Sequence, residues 1–389
     1  VQQTEQIPLS SSIDRRPFTP LLDGITRRWW FIWPLALRLV AWLFLAHAYE
    51  SAVFQDASRQ MISGAGVYAR FTPWLAIAGD GYYAGPPFYA YMLWVSGRIA
   101  AAFGDHWWLH QLLIKSWLLI ADIAVMVFLL RRSPAAARRY WTLWFVPVVA
   151  IGQVQPDLWV GLCVLVALHL AVQERWMGVG FLLGLGANLK PVPLLILPFL
   201  IIYLIRGGKS KAVTPTCFGV LVAIVLGWLP YVLLYPDAGH LTDVIRFHVT
   251  RSVAGLTIPS GILSMANAVL AAAGLLGVKL AWAEAAYRGA VDAGVVYPIL
   301  TVGVFAALLY GAALKRRWSL PQTFCLPLLA FIVGNKVVHE HYFMQALPLL
   351  VALGLGLRGI TLAFSAYLVT AGSPLRFFPS QLGFPQTVE

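Results

Sequence analysis

Pro86-Pro87-Phe88-Tyr89-Ala90-Tyr91-Met92-Leu93-Trp94-Val95-Ser96-Gly97-Arg98-Ile99-Ala100-Ala101-Ala102-Phe103 is apolar enough to cross a membrane, and whether it crosses sets the direction of every later segment. The run sits in a chain of 389 residues that is 60% hydrophobic and 11% charged, with a mean hydropathy of +0.75. An ordinary soluble core does not call for so much apolar sequence in runs of about twenty residues, so the chain reads as a polytopic membrane protein. The runs lack the alternation of barrel strands and must satisfy their own backbone hydrogen bonds, which makes the spans helices and the fold all-α.

The net charge of +12 gives the direction. Its basic residues gather in short stretches between apolar runs: Arg15, Arg16, Arg27 and Arg28; Arg131, Arg132, Arg138 and Arg139; Arg206, Lys209 and Lys211; Lys315, Arg316 and Arg317. They follow no groove with interleaved aromatics, so nucleic acid is not a predicted partner and the positive-inside rule is the simpler account. Placing all four groups in the cytoplasm means that the segment opening at Pro87 does not span. It is predicted to lie in the outer interface, with Tyr and Trp at headgroup depth and Arg98 snorkelling.

The same argument makes residues 260 to 281 an external, interfacial or re-entrant segment. The predicted spans are then 29–49, 111–130, 141–154, 157–173, 177–189, 191–206, 213–234, 291–314, 319–336, 342–358 and 359–372, about eleven transmembrane helices. A cytoplasmic tail, 1–28, precedes a single membrane domain, 29–372, and a C-terminal tail, 373–389, follows it. The first external loop, 50–110, is large and the second covers 235–290. The polar start lacks the ordered regions of a removable signal, so 29–49 reads as a retained first helix. Cys163, Cys217 and Cys325 lie in apolar segments without metal-ligand or redox spacing and receive no function.

Polar residues placed among the spans mark the candidate site, because each is costly at membrane depth unless paired. The short spans 177–189 and 191–206 meet at Asn188-Leu189-Lys190-Pro191, a polar turn that implies a cavity open to the external face. Lys115 and Asp122, seven apart on one helix face, suit helix packing or an ion pair better than catalysis. In Gly152-Gln153-Val154-Gln155-Pro156-Asp157 an external turn carries Asp157, which either touches substrate or caps the next helix. Arg246, His248 and Arg251 form a basic run in the second loop that meets either lipid headgroups or a substrate phosphate.

Asn335-Lys336-Val337-Val338-His339-Glu340-His341-Tyr342 is the densest polar stretch of the C-terminal half. Its histidines stand at i and i+2 rather than i and i+4, so it is no zinc-protease motif, and no metal is predicted. Lys336 and His339 share a face and can present donors to an anion. At the opposite end of the chain, Tyr49-Glu50-Ser51-Ala52-Val53-Phe54-Gln55-Asp56 sets two carboxylates six positions apart just beyond the first span.

Several of these stretches, taken in order, carry a resemblance. Val53-Phe54-Gln55-Asp56-Ala57, the Gly-rich turn ending at Tyr68, Pro86-Pro87-Phe88-Tyr89-Ala90-Tyr91, the span from Lys115 to Asp122, and Asn335 through Pro348 are similar to the GT-C superfamily of integral-membrane glycosyltransferases. The closest resemblance is to the polyprenol-phosphate-mannose-dependent enzymes that include the catalytic subunit of GPI mannosyltransferase I, and to bacterial mannosyltransferases of related architecture. It implies an inverting, metal-independent and cofactor-free transfer of a hexose, mannose first, from a polyprenyl-monophosphate sugar donor to a lipid or glycan acceptor at the external face of the cell membrane.

In that family an acid at the start of the first external loop acts as base. By position it is Glu50, with Asp56 the second candidate, because the relatives generally carry Asp where this chain reads Ala48-Tyr49-Glu50. Arg251, Lys336 and His339 would hold the donor phosphate, while Asp157, Lys190, His341 and Tyr342 would line the substrate site. The chemistry is coherent on its own terms: a leaving polyprenyl phosphate requires cations at the outer boundary beside an apolar groove, and the acceptor hydroxyl requires a carboxylate. A multi-pass transporter or flippase is the rival class, with Lys115, Asp122 and the broken helices as its pathway. It predicts two related halves, and no internal repeat is evident. A catalytically dead scaffold of the same fold is disfavoured because both acids are present.

Overall fold

The computed structural model describes residues 29–46, 48–68, 83, 85–235, 237, 242, 254–255, 266, 269–270, 272–278, 281–292, 303, 307, 310–311, 318–334, 337–338 and 340–370. Over those residues the fold is all-α apart from one parallel bridge, in which Ala254 pairs with Val337 and Gly255 with Val338. In chain order the helices are α1 (Trp29–Phe44), α2 (Ala48–Ile62), α3 (Pro87–Ala102), α4 (Trp107–Leu130), α5 (Pro134–Trp141), α6 (Asp157–Val172), α7 (Trp176–Ala187), α8 (Ile196–Arg206), α9 (Val213–Leu234), α10 (Ala281–Asp292), α11 (Leu320–Gly334), α12 (Phe343–Ala352) and α13 (Leu357–Thr370).

Two of them are long and apolar enough to cross a membrane: α4, with 24 residues, and α9 together with its leading 3-10 turn, Ser210–Leu234, with 25. At 1.5 Å per residue these reach about 36 Å, beyond the roughly 30 Å of a hydrocarbon core. The remaining apolar helices are shorter, among them α1, α6, α7 and α12.

Three predicted segments are divided differently in the structure. The first helix ends at Phe44 rather than at 49, and Glu50 lies in the first turn of a separate helix, α2. The break has a physical cause, because the buried Lys115 ammonium donates to the Leu45 carbonyl at 3.1 Å and captures a helix-end acceptor. The predicted span 141–154 is instead the end of α5 followed by a π-helical turn, Pro147–Ile151. Pro147 has no amide hydrogen to continue a regular ladder, and Ser133 starts α5 inside the predicted arginine loop by accepting from Ala136 N at 3.2 Å. The predicted span 342–358 ends early, because α12 stops at Ala352 and the chain turns at Gly354, whose φ is +92°, before α13 begins at Leu357 near the start of the predicted span 359–372. The predicted span 291–314 falls mostly outside the described residues, and of the predicted external segment 260–281 about half is described, with residues 272–275 helical.

Close backbone packing sets the centre. A Cβ at Gly180 of α7 would overlap the Thr216 carbonyl of α9, and one at Gly219 would overlap the Met177 carbonyl, so glycine lets these two helices touch. Nearer the arginine-rich end, Arg38 of α1 and Asp122 of α4 form a fully buried ion pair at 2.5 Å. Tyr140 of α5 donates to the same carboxylate at 2.6 Å, and the guanidinium lies 3.7 Å from the Trp141 ring centroid. Asp122 and Lys115 therefore both serve helix packing, with different partners rather than with each other.

Candidate functional site

Asp157 is the first residue of α6 and is 1% exposed. Its carboxylate sits at the positive end of the helix dipole and accepts from Lys190 Nζ at 2.7 Å and from Gln345 Nε2. His341 Nε2 is 3.9 Å away, and the Lys190 ammonium stands 4.3 Å from the centroid of the Tyr342 ring. Four sequence-predicted residues, Asp157, Lys190, His341 and Tyr342, thus form one cluster. It joins the start of α6, the turn after α7 and the start of α12. Gln345 belongs to the cluster and was not foreseen, although it stands four positions after His341 on the expected face.

Glu50 reaches the same region from α2. Phe54, one turn later, packs edge-to-face on Tyr89 of α3 with 5.3 Å between ring centroids, and Tyr89 donates its hydroxyl to the Val154 carbonyl at 2.7 Å. Burial raises the Tyr89 phenol well above its ordinary pKa of 10, and the nearby Glu50 and Asp157 carboxylates push it further in the same direction. One tyrosine therefore lies within electrostatic reach of both acids. Asp56 projects elsewhere: six positions beyond Glu50 it points about 120° away around the helix, and its carboxylate accepts from Gln60 Nε2 at 2.5 Å.

Between α3, α6 and α7 lies a cavity of about 320 Å³ with an apolar lining. Phe88 and Met92 of α3, Trp159 and Leu162 of α6, Leu185 of α7, and Leu189 contribute to it. Phe88 and Leu189 are the chain neighbours of Tyr89 and Lys190, and Trp159 stands two residues after Asp157, so the segments that carry the cluster also line the apolar space.

A second buried acid ties the turn after α2 to the end of α9. Asp237 accepts from Tyr68 N at 2.6 Å and from the Tyr231 hydroxyl at 2.9 Å, and Tyr231 in turn accepts from Val67 N at 2.8 Å. Gly66, with φ +83°, sits so close that any Cβ would overlap the carboxylate. Burial first and Asp237 second hold the Tyr68 phenol far above its usual range. Sequence reading passed over Asp237, and its one signal was an acid immediately after Tyr235-Pro236 at a span end.

Arg251, Lys336 and His339, the predicted phosphate ligands, lie outside the described residues. Among the described residues no group of three His, Cys, Asp or Glu side chains is placed to hold a metal ion. No known family model matches the chain, and no curated protein matches it in sequence.

Proposed function

We propose that this chain is a polytopic membrane glycosyltransferase of GT-C architecture. It transfers a hexose, mannose first, from a polyprenyl-monophosphate sugar to a lipid-linked or glycan acceptor at the external face of the cell membrane. The observation that carries the reading is that Tyr89 links α2, which bears Glu50, to the turn leading into Asp157 and its Lys190 partner, with an apolar cavity lined by the same segments. A sugar carried on a lipid phosphate has this same division, an apolar tail attached to an anion and a reacting carbon. About eleven spans, most of them short, suit a site cut into the outer half of a bilayer. Membrane residence is supported by α9, whose Leu226 and Leu233 are 61% and 73% exposed, a face that lipid would cover.

In this reading Glu50 is the base, because its helix face turns toward Tyr89 whereas that of Asp56 does not. The acceptor oxygen bonds to the anomeric carbon as the bond from that carbon to the phosphate oxygen breaks, and the acceptor proton passes to Glu50. A single displacement from the face opposite the phosphate inverts the anomeric centre. The phosphate leaves on its lipid, its charge met by Lys190 together with Arg251, Lys336 and His339. A positioned base of this kind is worth roughly 10² to 10⁴ in rate.

The test is transfer of radiolabel from synthetic polyprenyl-phosphate-mannose to membrane lipid extract by purified protein, run beside Glu50→Gln. New labelled glycolipid with the unmutated protein, and at least about a hundredfold less with the variant, is the expected result. Absence of transfer from mannose, glucose and arabinose donors alike would sink the reading in favour of transport.

A further inference from the structure

Val154 is a β-branched residue with φ +58°, a conformation that costs such a side chain about 1–2 kcal/mol and persists only where the surroundings impose it. The backbone does little of this work. Gly152, Gln153 and Val154 donate to carbonyls three to five residues back at 3.3, 3.4 and 3.2 Å, all long bonds. The short bond in the turn comes from outside it, from the Tyr89 hydroxyl to the Val154 carbonyl at 2.7 Å. Three residues later the chain enters α6 at Asp157.

Tyr89 is itself fixed from two sides. It lies near the start of α3 just after Pro86-Pro87, is 2% exposed, and packs edge-to-face against Phe54, which stands one turn along α2 from Glu50. A single side chain thus joins the helix that carries Glu50 to the turn that delivers Asp157 and, through it, Lys190.

We infer that Tyr89 is a positioning residue whose hydroxyl, by holding the left-handed Val154 turn, sets the distance between Glu50 and the Asp157–Lys190 pair. The inference rests on the transferase reading for its consequence, though not for its geometry. It does not make Tyr89 an acid or base, since its proton is committed to a carbonyl. What it supplies is register between the group that receives the acceptor proton and the cation that meets the leaving phosphate, the quantity to which a displacement is most sensitive.

Tyr89→Phe keeps the ring and removes the one hydrogen bond. Its kcat for sugar transfer is expected to fall about tenfold, with the donor KM within about twofold, because both charged groups remain but are misplaced. Within an Asp157→Asn background the same change is expected to have no further effect, as coupled residues in one network show. Undiminished kcat, or an equal tenfold loss in the Asp157→Asn background, would overturn the inference. Hydrogen exchange separates it from the transferase reading: the amides of Gly152, Gln153 and Val154 should exchange about tenfold faster in Tyr89→Phe. If the unmutated protein transfers no sugar, the transferase reading fails alone. Unchanged exchange at those three amides would then overturn the positioning role itself.

Discussion

Asp157 shows what a buried charge requires of its neighbours. The carboxylate is almost fully enclosed, and its cation, Lys190, is 16% exposed, so removing the lysine strands a charge away from water. Breaking such a pair from one side costs about 3–5 kcal/mol, whereas neutralising both partners costs far less. Lys190→Met is therefore expected to lower the thermal midpoint in detergent more than the double variant Lys190→Met with Asp157→Asn. Equal midpoints would mean that the pair is solvated. Asp157 and Lys190 were legible in the sequence because charge set among apolar spans is rare and conspicuous, and Glu50 because it stands just after the first apolar run. Tyr89 was not, because in a chain that is 13% aromatic one more tyrosine carries no signal, and its importance arises from Val154, whose φ no sequence displays. Arg38 was legible and overlooked, since it is the one charge inside the first apolar run.

Helices are read from periodicity and length, and their breaks from local chemistry that a hydropathy average smooths away. The span 157–173 appears as α6, 177–189 as α7 and 213–234 as α9, each within two residues at either end. The runs 29–49 and 141–154 look continuous to any average, yet Lys115 divides the first from a helix 70 positions later in sequence, and Pro147 divides the second. Such long-range capture of a carbonyl has no local signature. The α7–α9 contact, by contrast, is foreshadowed by the spacing of Gly180 and Gly184, four apart on one face. Gly180→Leu must push α9 away from backbone contact and is expected to cost more than about 3 kcal/mol, eliminating the monodisperse peak on size-exclusion chromatography. Gly289→Ala, with no atom within 4 Å of the added carbon, is the control and should elute unchanged. Equal behaviour of the two would mean that the helices are not in backbone contact.

At the scale of the whole chain the all-α class followed from composition, and the number of spans did not, because counting depends on which apolar helices cross and which lie in the interface. The charge asymmetry bears on this where hydropathy does not. The Arg131 to Arg139 stretch and the Arg206 to Lys211 stretch lie at one end of α4, α6, α8 and α9, while Asp157, Lys190 and the Asp237 contacts lie at the other. If the basic end is cytoplasmic, the charged cluster faces outward, where a lipid-phosphate sugar and not a nucleotide sugar is the available donor. Ser63, exposed in the turn after α2, and Ser210, exposed in the turn before α9, stand on opposite sides in this arrangement. With Cys163, Cys217 and Cys325 replaced by alanine, Ser63→Cys should react with a membrane-impermeant maleimide on intact cells, and Ser210→Cys only after permeabilisation. The reverse pattern would turn the cluster toward the cytoplasm, where nucleotide sugars are at hand. The polyprenyl-phosphate donor would then lose its topological basis even if Glu50 still proved essential.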